Sequence, residues 1–517
     1  MTHRISKSRF MAGWQCPKLL WWKVHESGAT ELQPDKVLRD LFDQGLEVDK
    51  RARAEWPDGV LITGGATGDA TGGSAEGRDT GAVRDAHDAA RIDETRATIA
   101  SGAGAIFGAC FEADGALCVV DVLERSADGW TLIEVKSATE VKEYHIPDVA
   151  FQVHVARRAG VNVTRAEVMH LNKEYRHPGE VAPLFEREDV TAAIEPLLEA
   201  IGPMIAEQAA MLEGPLPTYE VGPHCWFHND CAFLDRCWPD DPDHIRHLWN
   251  VGPKKTIAWM AQGVHTMRAI PATAKLNDKQ KRQMKAQREN RLIVEPGLAD
   301  AIRPAADAKR LGYLDFETVG RALPVWNGLA PWRQAAAQFS YHELQSDGSV
   351  THADFLAEGP DDPNDPPDDP REPIARAMLA ATANADLVVM YTPFEATRIR
   401  ELAEHLPHLA GPLLELKAKL WDLQPVVANH VYHPAFRGSF SLKYVLNPLV
   451  PDLSYNDLVI VDGMTASVEI ARLLFVSGRI PRHERDKTRR DLLDYCKRDT
   501  FATVRLVEVL MTLAAVT

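Results

Sequence analysis

Residues 105–138 alternate apolar and polar side chains, and this alternation constrains the fold more than any other feature of the chain. The run "AIFGACFEADGALCVVDVLERSADGWTLIEVKSA" contains the turn dipeptides Asp114-Gly115 and Asp128-Gly129. A period of two places successive side chains on opposite faces of a strand, and Asp-Gly favours the tight turns of hairpins. The pattern therefore predicts a three-stranded meander.

The rest of the chain mixes strand and helix patterns, which predicts an α/β multidomain protein. Helical periodicity precedes the meander in "RIDETRATIASG" and follows it in "HIPDVAFQVHVARRAG", and "VTRAEVMHLN" is typical of a further strand. From "RLGYLDFETVG" onward, strand and helix patterns alternate to the end. Two stretches predict exposed loops, the Gly-rich residues 66–82 and the Pro- and Asp-rich residues 358–373. A length of 517 residues predicts two to four domains.

Charge and cysteine content limit the classes of function. The net charge is −16, so binding to nucleic acid has to rest on local basic faces rather than on a global basic field. Seven cysteines at low density are not typical of a secreted disulfide scaffold. No apolar run is long enough to span a bilayer, and Gln15, Pro17 and Lys18 interrupt the apolar start that a signal peptide requires. We expect a cytoplasmic protein without membrane contact.

A carboxylate and a Glu-x-Lys pair lie on neighbouring strands of the predicted meander. Asp121 is expected at the end of one apolar strand, and Glu134 and Lys136 share a face of the next one because they are two residues apart. Two carboxylates bind a hard divalent cation, and a neighbouring lysine can position and polarise an attacking water. The alternative interpretation is an exposed strand pair with a surface salt bridge.

This order of residues, followed by an amphipathic helix, resembles the RecB-like branch of the PD-(D/E)XK nuclease superfamily. The resemblance covers residues 1–240 and implies a restriction-endonuclease-like fold that binds Mg²⁺ or Mn²⁺. It assigns a catalytic role to Gln152 on the helix after the Glu-x-Lys strand, and to Asp49 on an earlier helix. The tyrosine that often follows the glutamine in that branch is replaced by Ala156.

Four cysteines frame the same region. "HCWFHNDCAFLDRC" contains Cys225, Cys231 and Cys237, and Cys16 lies near the start of the chain. Four thiolates can hold zinc or an iron–sulfur cluster, although the short Cys-x2-Cys knuckles common in zinc sites are missing from the sequence. The other three cysteines, which we expect to be core residues or to belong to the C-terminal region, are Cys110, Cys118 and Cys496.

RecB-like nucleases such as the AddB subunit and the CRISPR-associated RecB-like exonucleases carry a [4Fe–4S] cluster. One of their cysteines precedes the nuclease core and three follow it, so the resemblance implies the same ligand role for Cys16, Cys225, Cys231 and Cys237. His228 stands where a cysteine is common in those relatives, and is a substitute candidate for Cys225. Such a cluster would tie the first segment of the domain to its last.

The C-terminal third contains a second group of acids. "YLDFET" places Asp315 and Glu317 on one face of an apolar strand, and Tyr495 and Asp499 are four residues apart on a predicted helix. Three acids and a tyrosine are suited to two divalent cations around a scissile phosphate, with the phenol orienting or deprotonating water. Taken singly, each of these pairs is also common on ordinary protein surfaces.

The order of these residues resembles the DEDDy branch of the DnaQ-like 3′–5′ exonucleases, which have the RNase H-like fold. In that family another aspartate follows a later strand. Here "DLVVMYTPFEATRIREL" provides the strand and the helix, but Glu395 stands in the place of the aspartate. Asp422 in "LWDLQPVV" is an alternative or auxiliary metal ligand.

Both halves together resemble an uncharacterised bacterial family that contains a domain of unknown function. We expect a nuclease domain at 1–240, a helical linker at 241–300 that resembles a helix-hairpin-helix unit, and an exonuclease domain at 301–517. The expected activity is metal-dependent hydrolysis of nucleic acid, with DNA favoured over RNA, in repair, processing or defence. Two alternatives stay open. Either only the N-terminal module cuts while the C-terminal one binds nucleic acid, or the chain is a non-catalytic iron–sulfur or zinc scaffold.

Overall fold

The chain divides into two units, and one short segment from the second half of the sequence belongs to the first unit. The computed structural model describes residues 3–65, 81–227, 230–345 and 347–516. The first unit contains Met1–Trp238 and Arg321–Arg333, and the second contains Pro239–Gly320 and Gln334–Thr517. The predicted domain boundary at residue 240 places residues 321–333 in the C-terminal domain. The sequence of this segment resembles an ordinary loop and gives no sign that it belongs to the first unit.

The first unit is built from strands and helices in alternation. Its elements in chain order are β1 (Ile5–Ser6), α1 (Lys7–Gln15), α2 (Pro17–His25), α3 (Lys36–Ala52), β2 (Val60–Leu61), α4 (Gly81–Ala100), β3 (Ala105–Ala113), β4 (Ala116–Ser126), β5 (Gly129–Lys136), α5 (His145–Arg158), β6 (Val163–Leu171), β7 (Phe185–Asp189), α6 (Thr191–Leu212) and α7 (Leu234–Cys237). The Gly-rich loop predicted at 66–82 lies almost entirely outside the described residues.

The strands of the first unit form one mixed sheet. Six of the described strands follow the order β2-β3-β4-β5-β6-β7, and β1 pairs with β4. The β3–β4 and β4–β5 pairs are antiparallel, which confirms the predicted meander. The β5–β6 pair is parallel because α5 forms the crossover between them. This crossover places α5 against the strand that carries Glu134 and Lys136.

The turns and the burial explain how the meander forms. The first hairpin turns at Asp114 and Gly115, whose φ angles of 52° and 77° both lie in the left-handed region that a tight hairpin turn requires. The prediction that Asp121 ends its strand is wrong, because β4 continues to Ser126. Val122 and Leu123 after it are fully buried in two different apolar clusters and keep the chain in the sheet.

Helix α5 is the central helix of the first unit. Ten of its residues are buried, and Phe151 stacks on Phe10 of α1 with ring centroids 4.7 Å apart. A surface helix buries one face, whereas a helix with most of its residues buried is typical of the interior of a layered α/β unit. Gln152 and Asp148 are polar exceptions on this helix, so each of them needs a buried partner.

The second unit has more helices and a smaller sheet. Its elements in chain order are α8 (Gly252–Met260), α9 (Asp278–Glu289), β8 (Ile293–Val294), α10 (Leu298–Asp307), β9 (Leu311–Gly320), β10 (Gln334–Leu344), β11 (Val350–Leu356), α11 (Arg371–Ala381), β12 (Leu387–Met390), α12 (Phe394–His405), α13 (Ala410–Ala418), β13 (Leu420–Asp422), α14 (Gln424–His430), β14 (Val431–Tyr432), α15 (Leu442–Leu449), α16 (Gly463–Phe475) and α17 (Arg482–Val516).

The main sheet of the second unit has the order β11-β10-β9-β12-β13, antiparallel up to β9 and parallel beyond it. Two apolar clusters lie on its two faces. Tyr313 of β9 belongs to the cluster formed with α17, whereas Leu314 and Phe316 belong to the cluster formed with α11 and α12. Because side chains alternate along a strand, Asp315 and Glu317 lie on the same face as Tyr313, the one that α17 covers.

Residues 241–300, predicted as a linker, are part of the second unit. Gly252, the first residue of α8, and Gly263, which follows that helix, have φ angles of 68° and 79°. The basic stretch after them forms α9, which begins with a capping box between Asn277 and Gln280. None of the helices in the described ranges combines the length and hydrophobicity that a membrane span requires.

Candidate active sites

Glu134 is the centre of a buried polar group in the first unit. The residue is only 1% exposed, and its carboxylate accepts hydrogen bonds from Lys136 Nζ at 2.6 Å and from Gln152 Nε2 at 2.7 Å. Lys136 reaches it along the same face of β5, and Gln152 reaches it from α5 above that face. The structure thus brings together three residues that the sequence assigned to one site.

Asp121 and Asp49 complete the acidic side of this group. The backbone pairing of β4 with β5 begins at Val122. Just before that point, Asp121 Oδ2 accepts a hydrogen bond of 2.9 Å from the Val135 amide. The Asp121 carboxyl therefore lies where the two strands separate. Asp49 on α3 pairs with Arg53 at 2.9 Å, and its charge interacts with Glu134 and Asp121.

Two residues of this site were missed in the sequence. Lys7 Nζ of α1 donates to Glu134 Oε1 at 2.8 Å, and Asp148 Oδ2 of α5 accepts from Lys136 Nζ at 2.6 Å. Asp148 lies one helical turn before Gln152, so the i, i+4 spacing was a signal that could have identified it. No local pattern connects Lys7 with Glu134, because 127 residues separate them.

The charges of this site shift the pKa values of its members in opposite directions. Burial raises the pKa of Asp121 well above its usual range, and the neighbouring Glu134 carboxylate adds to the effect. Burial acts in the same direction on Glu134, but Lys136 and Lys7 outweigh it and hold the pKa of that carboxyl well below its usual range. The pKa of Lys136 is raised, because Asp148 and Glu134 outweigh its burial.

The carboxylates of this group are of the kind that holds a hard divalent cation, but among the described residues no three of them bring oxygen atoms within 4.8 Å of one another. Carboxylate oxygens are the ligands that Mg²⁺ and Mn²⁺ prefer. The group contains four carboxylates and only two lysines, and the carboxylates are those of Asp49, Asp121, Glu134 and Asp148. Glu134 and Asp121 are the residues that would hold such an ion. A cation there would balance the charge of Asp121, which burial penalises, whereas Lys7 and Lys136 already balance Glu134.

The four predicted cysteine ligands line one cavity of the first unit. The whole cavity, which eight further residues also line, measures about 320 Å³ including the part open to solvent, and its enclosed part has room for about one water molecule. Burial raises the pKa of the Cys16 thiol, and Cys225 and Cys237 lie close enough to contribute to the shift. His228, the substitute candidate, lies outside the described residues. The remaining thiols, Cys110, Cys118 and Cys496, are buried core residues away from this cavity.

The spacing of the sulfur atoms can be compared with the spacing that a zinc ion requires. In the described ranges, no three of the four thiols have sulfur atoms within 4.8 Å of one another. A tetrahedral zinc ion with Zn–S bonds of about 2.3 Å would hold its sulfurs about 3.8 Å apart. The thiols of the described residues are therefore farther apart than a single zinc ion requires.

In the second unit, Asp315, Glu317 and Asp499 form a compact acidic group. One oxygen atom from each carboxyl group lies within 4.8 Å of the others. Asp315 and Glu317 come from β9, and Asp499 comes from α17, which covers that face of the sheet. Burial raises the pKa of all three carboxyls, and mutual repulsion adds to the shift of Asp315 and Glu317. The group therefore fits divalent cations.

Glu395 belongs to the same group. It lies at the start of α12, directly after β12, and is 3% exposed. Its carboxyl group shares a hydrogen bond with that of Asp315, which requires a proton on one of the two. Burial raises the pKa of Glu395 to about 7, and its Oε2 atom has no hydrogen-bond partner. The longer glutamate side chain thus reaches the position at which the sequence expected an aspartate.

Tyr495 lies on α17 one turn before Asp499, as the spacing of the two residues predicted. Its hydroxyl makes a hydrogen bond with Asp499 one turn further along α17. Tyr455, which the sequence did not identify, donates a second hydrogen bond to Asp499 Oδ1. Two phenols therefore hold one carboxylate, and burial raises the pKa of both.

A lysine at the border of the acidic group was also missed. Lys443 of α15 lowers the pKa values of Glu317 and Asp499 by its charge, and its Nζ is 5.6 Å from the centre of the Tyr495 ring. Asp422, the alternative ligand, interacts with Glu395 by charge but accepts the Gln424 amide at 2.9 Å. Asp422 is not in the compact acidic group.

The basic stretch that begins α17 makes ion pairs within its own unit. Arg485 pairs with Asp361 at 2.7 Å, Arg489 pairs with Glu358, and Lys487 pairs with Asp491 at 2.7 Å. Asp361 and Glu358 belong to the Pro- and Asp-rich loop at 358–373. These basic side chains thus have acidic partners within their own unit, as is typical of a solvated helix start.

The comparisons with known proteins concern the second unit. Residues 312–441 match a family described as a domain of unknown function, DUF2779. The matched region contains Asp315, Glu317 and Glu395 but ends before Tyr495 and Asp499. No curated protein matches the chain.

Proposed function

We propose that this protein is a metal-dependent nuclease with two catalytic modules that hydrolyse phosphodiester bonds, with DNA as the favoured substrate. The observation that carries the proposal is the convergence of Asp315, Glu317 and Asp499 within 4.8 Å, with Glu395 and Tyr495 bonded to members of the group. Acids from three separate elements converge at one place beneath α17. Buried carboxylates in such contact repel one another, so their arrangement destabilises the fold unless cations bind.

In the C-terminal module, the residues take roles of an RNase H-like exonuclease of the DEDDy type. The four carboxylates would hold divalent ions, which when bound activate water and neutralise the charge of the phosphate. Tyr495 and Tyr455 fix the orientation of Asp499, and the Tyr495 hydroxyl is placed to orient the attacking water. The water oxygen bonds to phosphorus, the ester oxygen leaves, and a proton passes from the water to the leaving group through solvent.

In the N-terminal module, the arrangement supports a PD-(D/E)XK nuclease. Asp121 and Glu134 would hold the ion, Gln152 fixes one oxygen of Glu134, and Lys136 is placed to polarise the attacking water. Asp148 holds the Lys136 ammonium from its other side and is therefore a positioning residue. Asp49 adds negative charge at the same place.

We also propose that the cysteine cavity holds a [4Fe–4S] cluster with a structural role. The Glu134 group does not line this cavity, and contacts beside the cavity join α1 and α2 to the segment that precedes α7. Gln15 donates to the carbonyl of His224 at 3.1 Å, and the rings of Trp22 and Phe233 lie 4.9 Å apart. A cluster would add a covalent connection to these contacts.

The test measures cleavage by the full chain on end-labelled single- and double-stranded DNA and RNA, with Mg²⁺ or Mn²⁺. Lys136→Ala should abolish one component of the cleavage, Asp315→Ala the other, and the double variant both. The matched control is Asp300→Ala, which removes an aspartate with 80% exposure on α10. Unchanged cleavage in both single variants would contradict the two-site assignment. Iron and acid-labile sulfide should be present after anaerobic purification, and zinc without iron would contradict the cluster.

A further inference from the structure

The N-terminal candidate site includes a structural part that lies almost two hundred residues downstream in sequence. Arg321–Arg333 follow β9, yet they belong to the first unit. Ala322, Trp326 and Ala330 are 1%, 6% and 4% exposed, so the segment is packed rather than a free loop. Because surface connections are normally mobile and exposed, a buried connection of this length calls for a function.

One end of the segment holds α3, the helix that carries Asp49. The Ala322 amide donates to Gln44 Oε1 at 2.7 Å, and Arg321 pairs with Asp40 at 2.7 Å. Gln44 is 2% exposed and points from the face of α3 that is buried. Ala322 also shares an apolar cluster with Val48, the residue before Asp49. Without the segment, Gln44 would lose a buried partner and α3 part of its packing.

The other end holds the strand that carries Lys136. Trp332 Nε1 donates to the carbonyl of Ser137, the residue after Lys136, at 2.6 Å. Between the two ends, Gly328 and Leu329 make a reciprocal pair of backbone hydrogen bonds with His177, both of 2.9 Å. The segment is thus bonded to the first unit at α3, at the connection after β6 and at the end of β5.

The backbone of Trp332 is strained at this contact. Its φ angle is 61°, in the left-handed region that a bulky residue rarely adopts. Such a conformation costs roughly 1–3 kcal/mol and persists where the surrounding structure holds it. Here the indole ring is held in the apolar cluster around Ala322, and the N–H points at Ser137. The side-chain contacts of Trp332 therefore offset the strain of its backbone.

From these contacts we infer that Arg321–Arg333 is a positioning element of the N-terminal nuclease site, and that Trp332 fixes the Ser137 peptide and with it the Lys136 side chain. The inference rests on the proposed function of that site. Lys136 contacts both Glu134 and Asp148 at 2.6 Å, so a small displacement of its backbone would change the geometry of the ammonium group.

The experiment uses Trp332→Phe in the full chain, because phenylalanine keeps an aromatic ring and removes the N–H donor. In an Asp315→Ala background, where only the N-terminal site cuts, we expect kcat for DNA cleavage to fall three- to tenfold, the range typical of one lost hydrogen bond, with little change in KM. In a Lys136→Ala background, Trp332→Phe should leave the remaining cleavage unchanged. Amide hydrogen exchange in peptides covering residues 129–141 should become faster.

The matched control is Trp56→Phe. Trp56 packs at the same apolar cluster, but its indole N–H donates to Glu124 of β4, at 2.7 Å, rather than to Ser137. Unchanged exchange and kcat in Trp332→Phe, or equal effects in Trp56→Phe, would overturn the inference. The exchange experiment needs no activity, so it tests the positioning even if the Lys136 site does not cut. Should Trp332→Phe fail to fold, Gln44→Met is the second variant, with faster exchange expected in residues 36–52.

Discussion

Lys7 and Lys136 contact the same atom, Oε1 of Glu134, at 2.8 and 2.6 Å. Lys7 lies on α1, and Lys136 lies on β5, the strand that also carries Glu134. Two ammonium groups on one carboxylate oxygen leave less of it available to a metal ion. Lys136 has a second carboxylate partner at 2.6 Å in Asp148, whereas Lys7 is 3.8 Å from that residue.

We therefore predict that Lys7 competes with the divalent cation for Glu134. Lys7→Met should lower the Mg²⁺ or Mn²⁺ concentration for half-maximal N-terminal cleavage by about tenfold, because it removes one positive charge next to the ion. Metal titrations of the Asp315→Ala chain measure the effect. Lys23→Met, on the neighbouring helix α2, is the control. A higher metal requirement in Lys7→Met would show instead that Lys7 assists metal binding.

Glu395 gives a second prediction, because its length fits this backbone. The residue lies at the start of α12 and reaches the Asp315 carboxyl with its full side chain. We expect Glu395→Asp to lower C-terminal cleavage by about ten- to 100-fold rather than to improve it, since shortening the side chain withdraws the carboxylate by more than 1 Å. Glu395→Gln should be at least as damaging.

Cleavage by the Lys136→Ala chain, in which only the C-terminal site acts, is the measurement for Glu395. The same conservative change at Glu404, on the same helix but 62% exposed, is the control and should have no effect. Cleavage by Glu395→Asp that equals or exceeds that of the parent chain would show that the aspartate of the exonuclease family is also the better ligand here.

Much of the fold and of both sites follows from local sequence patterns. The meander, α5 and the strand β9 were predictable because periodicity and turn residues act within a few positions. Glu134 and Lys136, or Tyr495 and Asp499, were predictable as pairs because each pair lies on one face of one element. Asp148 could have been identified by the same reasoning.

The residues that were missed lie far from their partners in sequence. Lys7 and Glu134 are 127 residues apart, and Trp332 and Ser137 are 195 apart. Tyr455 is 44 residues from Asp499, in a stretch without a helix or strand. Each of these contacts depends on how the chain returns to the site, and a single sequence contains no periodic signal for such returns. The extension of β4 past Asp121 was missed because the burial of its two faces is a property of the packed unit.

The cysteine cavity leads to a prediction about stability. If a cluster joins α1 and α2 to the last segment of the first unit, Cys231→Ala should remove the iron chromophore and lower the melting temperature of the anaerobic protein by several degrees. Cys110→Ala is the control for the loss of a thiol, since Cys110 is fully buried, more so than Cys231, but lies outside the cavity. Loss of cleavage in Cys231→Ala should accompany the loss of folded protein. A stable chain with the parent iron content would contradict the ligand role.

His342 allows a prediction about acid stability. It lies on β10, is 4% exposed, and its Nδ1 is 2.8 Å from the hydroxyl of Thr500 on α17. Burial lowers the pKa of His342 to about 4, and the charges of His352 and Lys497 act in the same direction. The folded state therefore keeps this ring neutral over a range of pH in which an unfolded chain protonates it.

The sign of the effect follows from the lowered pKa. Between pH 6.5 and about 4 the unfolded state binds the proton and the folded state does not, so the free energy of unfolding decreases as the pH falls. By linkage, His342 alone should lower the free energy of unfolding by about 2 kcal/mol between pH 7 and pH 5. Urea unfolding at the two pH values should show that His342→Gln loses about 2 kcal/mol less than the parent chain over this interval. His483→Gln, which replaces an exposed histidine at the start of α17, should retain the parent dependence. Equal pH dependence in His342→Gln and the parent would mean that His342 is protonated in the folded state as readily as in the unfolded one.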